Sequence, residues 1–277
     1  GELLVRYCLQ QAMQELGVAV HVVQSDREFN RINGNSYDYI FLDPWTWAGP
    51  GWVPKPNIKN HLHKLFILDF FGTKELKKSL RIPLTRVLTP FGTPWNTFLG
   101  FYLSESTIAA DSGRIKQGVI WGKDPRHFKG QQDMLARIAA EVPLVSTSQE
   151  KVFSTSGISW LGHQTPQSWN KLLAESKFVL GLGDPLLGPS AIDAVAAGCM
   201  YINPIYDEPV RDIYKTQHDF ASDVIGFPHV CSVKLSDHEA IMKCINYALS
   251  HDIQPFVPDI LHQKEYVKRV ESILLSV

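Results

Sequence analysis

Short apolar runs alternate with helical stretches along this chain. Strand-like runs fall at residues 18–23, 37–42, 65–70, 118–121, 178–181 and 200–202. Between them apolar positions recur at helical spacing, as over residues 3–16, 131–140 and 166–176. The last of these has a mechanical start. Thr165 suits the N-cap, and Pro166 brings the fixed φ and missing N–H that the first helical position tolerates. Buried strands alternating with helices predict parallel sheets covered on both faces. The pattern predicts two such sheets, with a changeover near residues 104–116.

Two stretches break the rhythm. Residues 43–58, rich in Pro, Gly and Trp, predict an irregular loop. After Pro258 a final helix is expected, with Asp259 as its cap. Val267, Val270, Ile273 or Leu274, and Val277 share one face of it, and that face needs something to pack on. The start of the chain is abrupt for a sheet that normally opens with a strand. Gly1-Glu2-Leu3-Leu4 reads as the head of a helix, so the first strand is expected upstream of residue 1.

With 277 residues, 44% of them hydrophobic, the chain can bury a large core without staples. Lys+Arg 27 against Asp+Glu 28 leaves a net charge of −1, which gives no global reason to bind nucleic acid or an anionic membrane. No apolar run reaches the ~18–20 residues of a spanning helix. The four cysteines, at 8, 199, 231 and 244, are too scattered for a disulfide scaffold and include no C-x-x-C pair. They leave the redox compartment open.

The most informative stretch is residues 177–204, which reads strand, glycine-rich turn, helix, glycine stop, strand. Gly181, Gly183 and Gly188 would let the backbone approach a ligand closely. Pro189 and Ser190 open a helix whose N–H groups and dipole favour a phosphate. Asp193 lies about one turn inside, where its carboxylate could accept from ribose hydroxyls. A dinucleotide fingerprint does not fit, because the third glycine comes five residues after the second. Glycines that only allow tight turns, with Asp193 on a solvated face, are the plain alternative.

Other candidates are more scattered. Lys123 closes the run Trp121-Gly122-Lys123, where a cation could meet a diphosphate; Arg126 and Lys129 are nearby substitutes, and a solvated charge cluster is the alternative. Trp45, Trp47 and Trp52 would suit either a platform for sugar rings or the small core of their own loop. His61 and His63 alternate without a third ligand, which argues against a metal. No Asp-x-Asp pair occurs in the sequence.

The segment Leu180-Gly181-Leu182-Gly183, Gly188-Pro189-Ser190-Ala191-Ile192-Asp193-Ala194 and Ala197-Gly198-Cys199-Met200-Tyr201-Ile202-Asn203-Pro204 resembles the donor region of GT-B nucleotide-sugar transferases. More closely it resembles the N-acetylglucosaminyltransferase V family, glycosyltransferase family 18. Further matches follow in the family's order: Gly1-Glu2-Leu3, Leu68-Asp69-Phe70-Phe71-Gly72-Thr73, Phe98-Leu99-Gly100-Phe101, Trp121-Gly122-Lys123, Gly226-Phe227-Pro228-His229-Val230 and Ile253-Gln254-Pro255-Phe256-Val257-Pro258. Each is weak alone; their collinearity over nearly the whole chain is strong.

The resemblance implies an α/β GT-B fold, two Rossmann-like parallel-sheet domains facing across a cleft, the first truncated at its N-terminus. The implied division is 1–103 for the acceptor side, 104–258 for the nucleotide-sugar side, and 259–277 for a helix crossing back to the first domain. It further implies inverting, metal-independent transfer of N-acetylglucosamine from UDP-N-acetylglucosamine (UDP-GlcNAc) to a mannose 6-hydroxyl of an N-glycan. No cofactor is expected beyond the donor substrate. Glu2 would be the general base. Lys123, Gly183, Gly188, Pro189, Ser190 and Asp193 would hold the donor, and Phe71 and Trp121 would be substrate contacts. The partners implied are a UDP-sugar and a glycan or glycoprotein acceptor, without nucleic acid and without membrane contact by these residues. The address implied is the Golgi lumen, with a membrane anchor outside the chain.

The chain departs from the family pattern in places. Leu187 stands where the family has an acid, and Asp193 shortens a glutamate. The connection from Thr73 to Phe98 is too short for the family's tryptophan-bearing acceptor loop. Donor recognition therefore transfers better than acceptor specificity. A GT-B transferase with another sugar or acceptor, and a catalytically silent sugar-nucleotide-binding module, are the competing expectations.

Overall fold

A computed structural model describes residues 1–43, 60–75, 82–103 and 113–276, apart from the Asp26 side chain. The chain divides into two units, Gly1–Tyr102 with Asp259–Val277, and Leu103–Pro258. Trp45, Trp47 and Trp52 lie outside the described residues.

The first unit holds a four-stranded parallel sheet in the order β1 (Ile40–Leu42), β2 (Leu65–Leu68), β3 (Val87–Thr89), β4 (Thr97–Phe98). Ile40, Leu42, Leu65, Ile67 and Val87 join Phe29 and Ile82 in one apolar cluster. Phe29 closes the short helix α2 (Asp26–Phe29). The opening helix α1 (Glu2–Glu15) buries Val5, Cys8, Leu9, Ala12 and Met13, a stripe at helical spacing.

Residues 18–23 form no strand. Gly17 takes φ +76°, and Val18 N–H closes back on the Met13 carbonyl at 2.9 Å, so the first of these residues finishes a helix. His21 is then drawn to Tyr37 and Glu28, at 2.6 and 3.1 Å, and Val22 is half exposed. The apolar alternation was real, but local partners use the segment.

The second unit is built on β5 (Gly118–Trp121), β6 (Leu144–Ser146), β7 (Ile158–Trp160), β8 (Phe178–Gly181), β9 (Met200–Val210) and β11 (Val230–Lys234), all parallel. Their order across the sheet is β7-β6-β5-β8-β9-β11. In chain order that is 3-2-1-4-5-6, the Rossmann arrangement. The short strand β10 (Tyr214–Thr216) turns back antiparallel on the outer half of β9. The helices are α3 (Gln132–Ala139), α4 (Pro166–Ala174), α5 (Ser190–Ala196) and α6 (His238–Ser250). Leu135 and Ile138 of α3 and Ile241 and Ile245 of α6 share one core with Ile120, Phe178, Leu180, Met200 and Ile202. The start of α4 is the one its sequence predicts, with Thr165 Oγ1 accepting from Ser168 N–H at 3.2 Å and Pro166 in the first turn.

The last helix, α7 (Gln263–Leu275), returns to the first unit and packs on α1. It starts later than expected. Asp259 opens a single 3-10 turn, Asp259–Leu261, and His262 occupies the N-cap. Its buried face is Tyr266 with Val270, Ile273 and Leu274 rather than Val267; Val277 lies outside the described residues. Arg269 fixes the helix further. Its guanidinium donates to the Leu99 and Ile260 carbonyls, at 3.1 and 2.7 Å, and lies over the Phe98 and Tyr266 rings.

Cys231 of β11 and Cys244 of α6 form a disulfide, while Cys8 and Cys199 are buried thiols. The bridge closes a 13-residue separation. Replacing both cysteines with serine is expected to lower the unfolding free energy by about 2–4 kcal/mol, the usual worth of such a loop. Urea unfolding checks this, and an unchanged midpoint would show that the bridge contributes no stability.

Candidate functional site

The neighbours β5 and β8 are paired in register from Gly118↔Phe178 to Trp121↔Gly181. From β5 the chain moves on to β6 at one side, and from β8 to β9 at the other. Where successive connections diverge like this, a crevice opens at the carboxyl ends of the strands. Two short segments meet there, Trp121-Gly122-Lys123 after β5 and the turn 182–189 after β8.

The turn is packed from below. Trp121 is 1% exposed and lies edge-on to Tyr201, with ring centroids 5.8 Å apart. A Cβ on Gly188 would fall 2.4 Å from Trp121 Cζ2. Gly188 is therefore glycine because the indole occupies that space. The Trp121 indole is thus the floor of the turn. Gly181 is committed in the same way, since a Cβ there would fall 2.2 Å from Gln217 Oε1. Gly183 takes φ +91°, a conformation that side chains resist, and its carbonyl accepts from Tyr206 Oη at 2.5 Å. Leu187 is buried at φ +56° although it is not glycine, a strained placement that its surroundings must hold.

Pro189 caps α5 and Ser190 is its first residue, largely buried. Asp193 lies in the first turn, half-buried, and Trp169 Nε1–H of α4 donates to its Oδ2 at 3.2 Å. Burial pushes its carboxyl up to about 6, against the pull of the Trp169 N–H and the Lys123 charge. The Asp193 carboxyl is neither a surface group nor an ordinary one.

Lys123 has an exposed side chain, and its charge lowers the Asp193 pKa against the larger effect of burial. Its backbone is held by His127 Nδ1 on the N–H at 3.3 Å and by Gln149 N–H on the carbonyl at 3.3 Å. The Arg126 guanidinium is bound by Asp124 through contacts of 2.9 and 2.8 Å, which hold the Asp124 carboxyl well below the usual range.

Sequence reasoning missed three supporting groups, Trp169, Tyr206 and Gln217. Trp169 falls on the predicted α4, but nothing in its spacing points to Asp193. Gln217 is fully buried. Its Oε1 accepts from Gly183 N–H at 3.0 Å and its Nε2 donates to the Pro185 carbonyl at 2.9 Å. The next residue, His218, is also buried, which pushes its pKa down to about 3 against the opposing pull of the Gly188 backbone.

The remaining candidates belong to the first unit. Phe71 is half-buried beyond β2, and the Asp69 carboxylate accepts from its N–H and that of Gly72 at 3.0 and 3.1 Å. Glu2 opens α1 with its side chain 67% exposed, 3.5 Å from the Gly1 amino group. His61 and His63 lie with ring centroids 6.3 Å apart. Among the described residues no group of three or more His, Cys, Asp or Glu is arranged to hold a metal.

Two Rossmann-like units with parallel sheets define the GT-B class of fold, and solved structures agree. A glycosyltransferase involved in avilamycin A biosynthesis, AviGT4, superposes with a TM-score of 0.55 at 12% identity, covering 99% of this chain and 90% of that one. The UDP-GlcNAc 2-epimerase of Methanocaldococcus jannaschii, solved with UDP-GlcNAc and UDP, gives 0.51 at 9% identity, covering 96% and 87%. The chain belongs to glycosyltransferase family 18, whose pattern matches residues 71–276. It is similar to alpha-1,6-mannosylglycoprotein 6-beta-N-acetylglucosaminyltransferase A of Rattus norvegicus, 27% identical over 250 residues, 76% of this chain and 33% of that protein. The Caenorhabditis elegans alpha-1,6-mannosylglycoprotein 6-beta-N-acetylglucosaminyltransferase is 28% identical over 186 residues, 59% of this chain and 27% of that one. The chain thus matches about a third or less of the length of these relatives.

Gly188→Ala is expected to cost about 1–3 kcal/mol of stability, because the new methyl must displace the Trp121 indole from a packed floor. Unfolding in urea reads this directly; a neutral substitution would mean that the indole is not seated beneath Gly188.

Proposed function

We propose that this chain forms the donor-binding core of an inverting, metal-independent transferase that moves N-acetylglucosamine from UDP-GlcNAc to a mannose 6-hydroxyl of an N-glycan. The observation that carries this reading is the placement of Asp193, held by Trp169 Nε1–H in the first turn of α5, and of the exposed Lys123 after β5, both at the carboxyl ends of β5 and β8 beside the packed turn. Membership of family 18 and the names of its relatives supply the sugar and the acceptor. The M. jannaschii epimerase of the same fold class was solved with UDP-GlcNAc and UDP.

In this reading the diphosphate lies against Gly188, Pro189 and Ser190, with Lys123 facing its charge and Gly183 giving the turn its path. Asp193 accepts from the ribose hydroxyls. Phe71 contacts substrate from the acceptor side. The Glu2 carboxylate takes the proton of the acceptor hydroxyl as that oxygen bonds to the anomeric carbon on the face opposite the nucleotide. The bond from the anomeric carbon to the phosphate oxygen breaks, and its electron pair leaves on UDP. Lys123 and the backbone N–H groups stabilise that developing charge, which is why no metal is required. The Cys231–Cys244 disulfide suits an oxidising compartment and supports a Golgi lumenal address. Among the described residues no helix is long and apolar enough to cross a membrane.

Leu187 favours a second reading, a module that binds a sugar nucleotide without turning it over, because the family's acid is replaced by a buried leucine. UDP release from donor plus acceptor separates the two readings.

Donor binding provides the first test. UDP-GlcNAc should bind equally well with and without EDTA, and Asp193→Ala should weaken it by about 1.5–3 kcal/mol. Its diphosphate diester keeps its charge from pH 5 to 8, so pH acts through the protein. Affinity should fall as pH drops through about 6, where Asp193 gains its proton, and Asp193→Asn should flatten that dependence. Protein stability should run the other way, because the raised carboxyl pKa favours the folded state below that pH. Calorimetry across the range reads both; affinity that ignores Asp193 would remove it from the site.

Catalysis provides the second test. Glu2→Gln keeps shape and hydrogen bonding but removes basicity. Donor affinity should survive while UDP release with a mannose-bearing N-glycan falls by about 10²–10⁴. Undiminished turnover would exclude Glu2 as the base.

A further inference from the structure

The segment that follows β10 reaches under the whole donor turn. Gln217 meets it at three points. Its Oε1 accepts from Gly183 N–H at 3.0 Å, its Nε2 donates to the Pro185 carbonyl at 2.9 Å, and its own carbonyl accepts from Leu187 N–H at 3.0 Å. The side chain is fully buried, so the amide is available to no other partner. Gly181 leaves the slot it fills, since any Cβ there would collide with Gln217 Oε1.

What lies behind Gln217 is equally fixed. Gln217 N–H donates to the Pro204 carbonyl at 2.8 Å. Asn203 Nδ2 donates to Thr216 Oγ1 at 3.0 Å and to Ser232 Oγ at 3.2 Å, and Asn203 Oδ1 accepts from His218 N–H at 3.1 Å. Asp219 accepts from the Thr216 N–H and hydroxyl, at 2.7 and 2.6 Å. A satisfied polar network of this kind holds one geometry, because any rearrangement strands a buried polar group.

We propose that Gln217 is a positioning residue for the sugar nucleotide: it sets the path of the turn from Gly183 to Leu187, and through it the placement of Gly188 and Ser190 against the diphosphate. The proposal rests on the donor site assigned above. Gln217 does not touch the donor; it acts through the turn. The amide is required because the turn presents one donor and one acceptor to it, Gly183 N–H and the Pro185 carbonyl. A carboxylate satisfies only the first and repels the second. A protonated carboxylic acid satisfies both.

Two variants and one titration test this. UDP-GlcNAc is titrated calorimetrically into the parent, Gln217→Leu and Gln217→Glu proteins at pH 5 to 8. Calorimetry separates affinity from the number of competent sites, so a protein that merely folds poorly shows fewer sites at unchanged Kd. The expected result is a Kd raised at least tenfold in Gln217→Leu with the site number unchanged. For Gln217→Glu, the ratio of its Kd to the parent's should shrink as pH falls and the new carboxyl gains a proton. If Gln217→Leu does not fold, the Gln217→Glu titration decides alone. A variant Kd equal to the parent's, or a Gln217→Glu ratio that ignores pH, overturns the positioning role while leaving the donor site intact. A parent that binds no UDP-GlcNAc overturns the donor site and this inference together.

Discussion

The in-register pairing of β5 with β8 is the constraint on which the second unit depends. Both strands are buried along their full length, from Gly118 to Trp121 and from Phe178 to Gly181. Because the connections from their carboxyl ends leave toward opposite sides of the sheet, no loop can close the space between them. The protein fills the bottom of that space with Trp121, Tyr201 and Gln217 and leaves Lys123 exposed above it. A glycine is required wherever one of these large groups meets the turn, at 181 for Gln217 and at 188 for Trp121. The glycine-rich character of the segment is thus first a consequence of packing.

Among the charges around the crevice, Lys123 has an exposed side chain. Asp124 consumes Arg126 within one turn of chain. Asp193 is held above its ordinary pKa by burial, so its ionisation falls within reach of neutral pH and answers to whatever settles beside it. His218 stays neutral because burial is the larger influence on it. In the proposed site the Lys123 charge faces the diphosphate and the Asp193 carboxyl faces the ribose hydroxyls.

Much of this was legible from the chain itself. The runs at 118–121 and 178–181 became strands with the boundaries their apolar pattern set, and α4 started where Thr165 and Pro166 required. Fully buried strands and capped helices are local signals, so sequence carries them. The run at 18–23 misled because a helix stop at Gly17 and a histidine with two side-chain partners outcompeted strand pairing. Asp259 misled because a 3-10 turn intervened before α7. Asp193 was singled out from the glycine-rich segment itself and Lys123 from the end of the 121–123 run, and the family resemblance supplied the role expected of each. Gln217 was invisible because its role depends on β10 folding back along β9 and delivering it beneath a turn 34 residues earlier. No periodicity or spacing encodes that. That Trp121 is buried beneath the turn was equally illegible, since burial cannot be told from exposure in a three-residue motif.

The central claim is the place of the nucleotide, the crevice between the carboxyl ends of β5 and β8. A crystal structure of the protein with UDP-GlcNAc tests it most directly. The account requires the diphosphate against Gly188 to Ser190 with the Lys123 ammonium beside it, and the ribose hydroxyls on the Asp193 carboxylate above an undisturbed Trp121. A nucleotide bound elsewhere on the second unit, or one that reaches its place only by unseating Gln217 from Gly183 and Pro185, would contradict it.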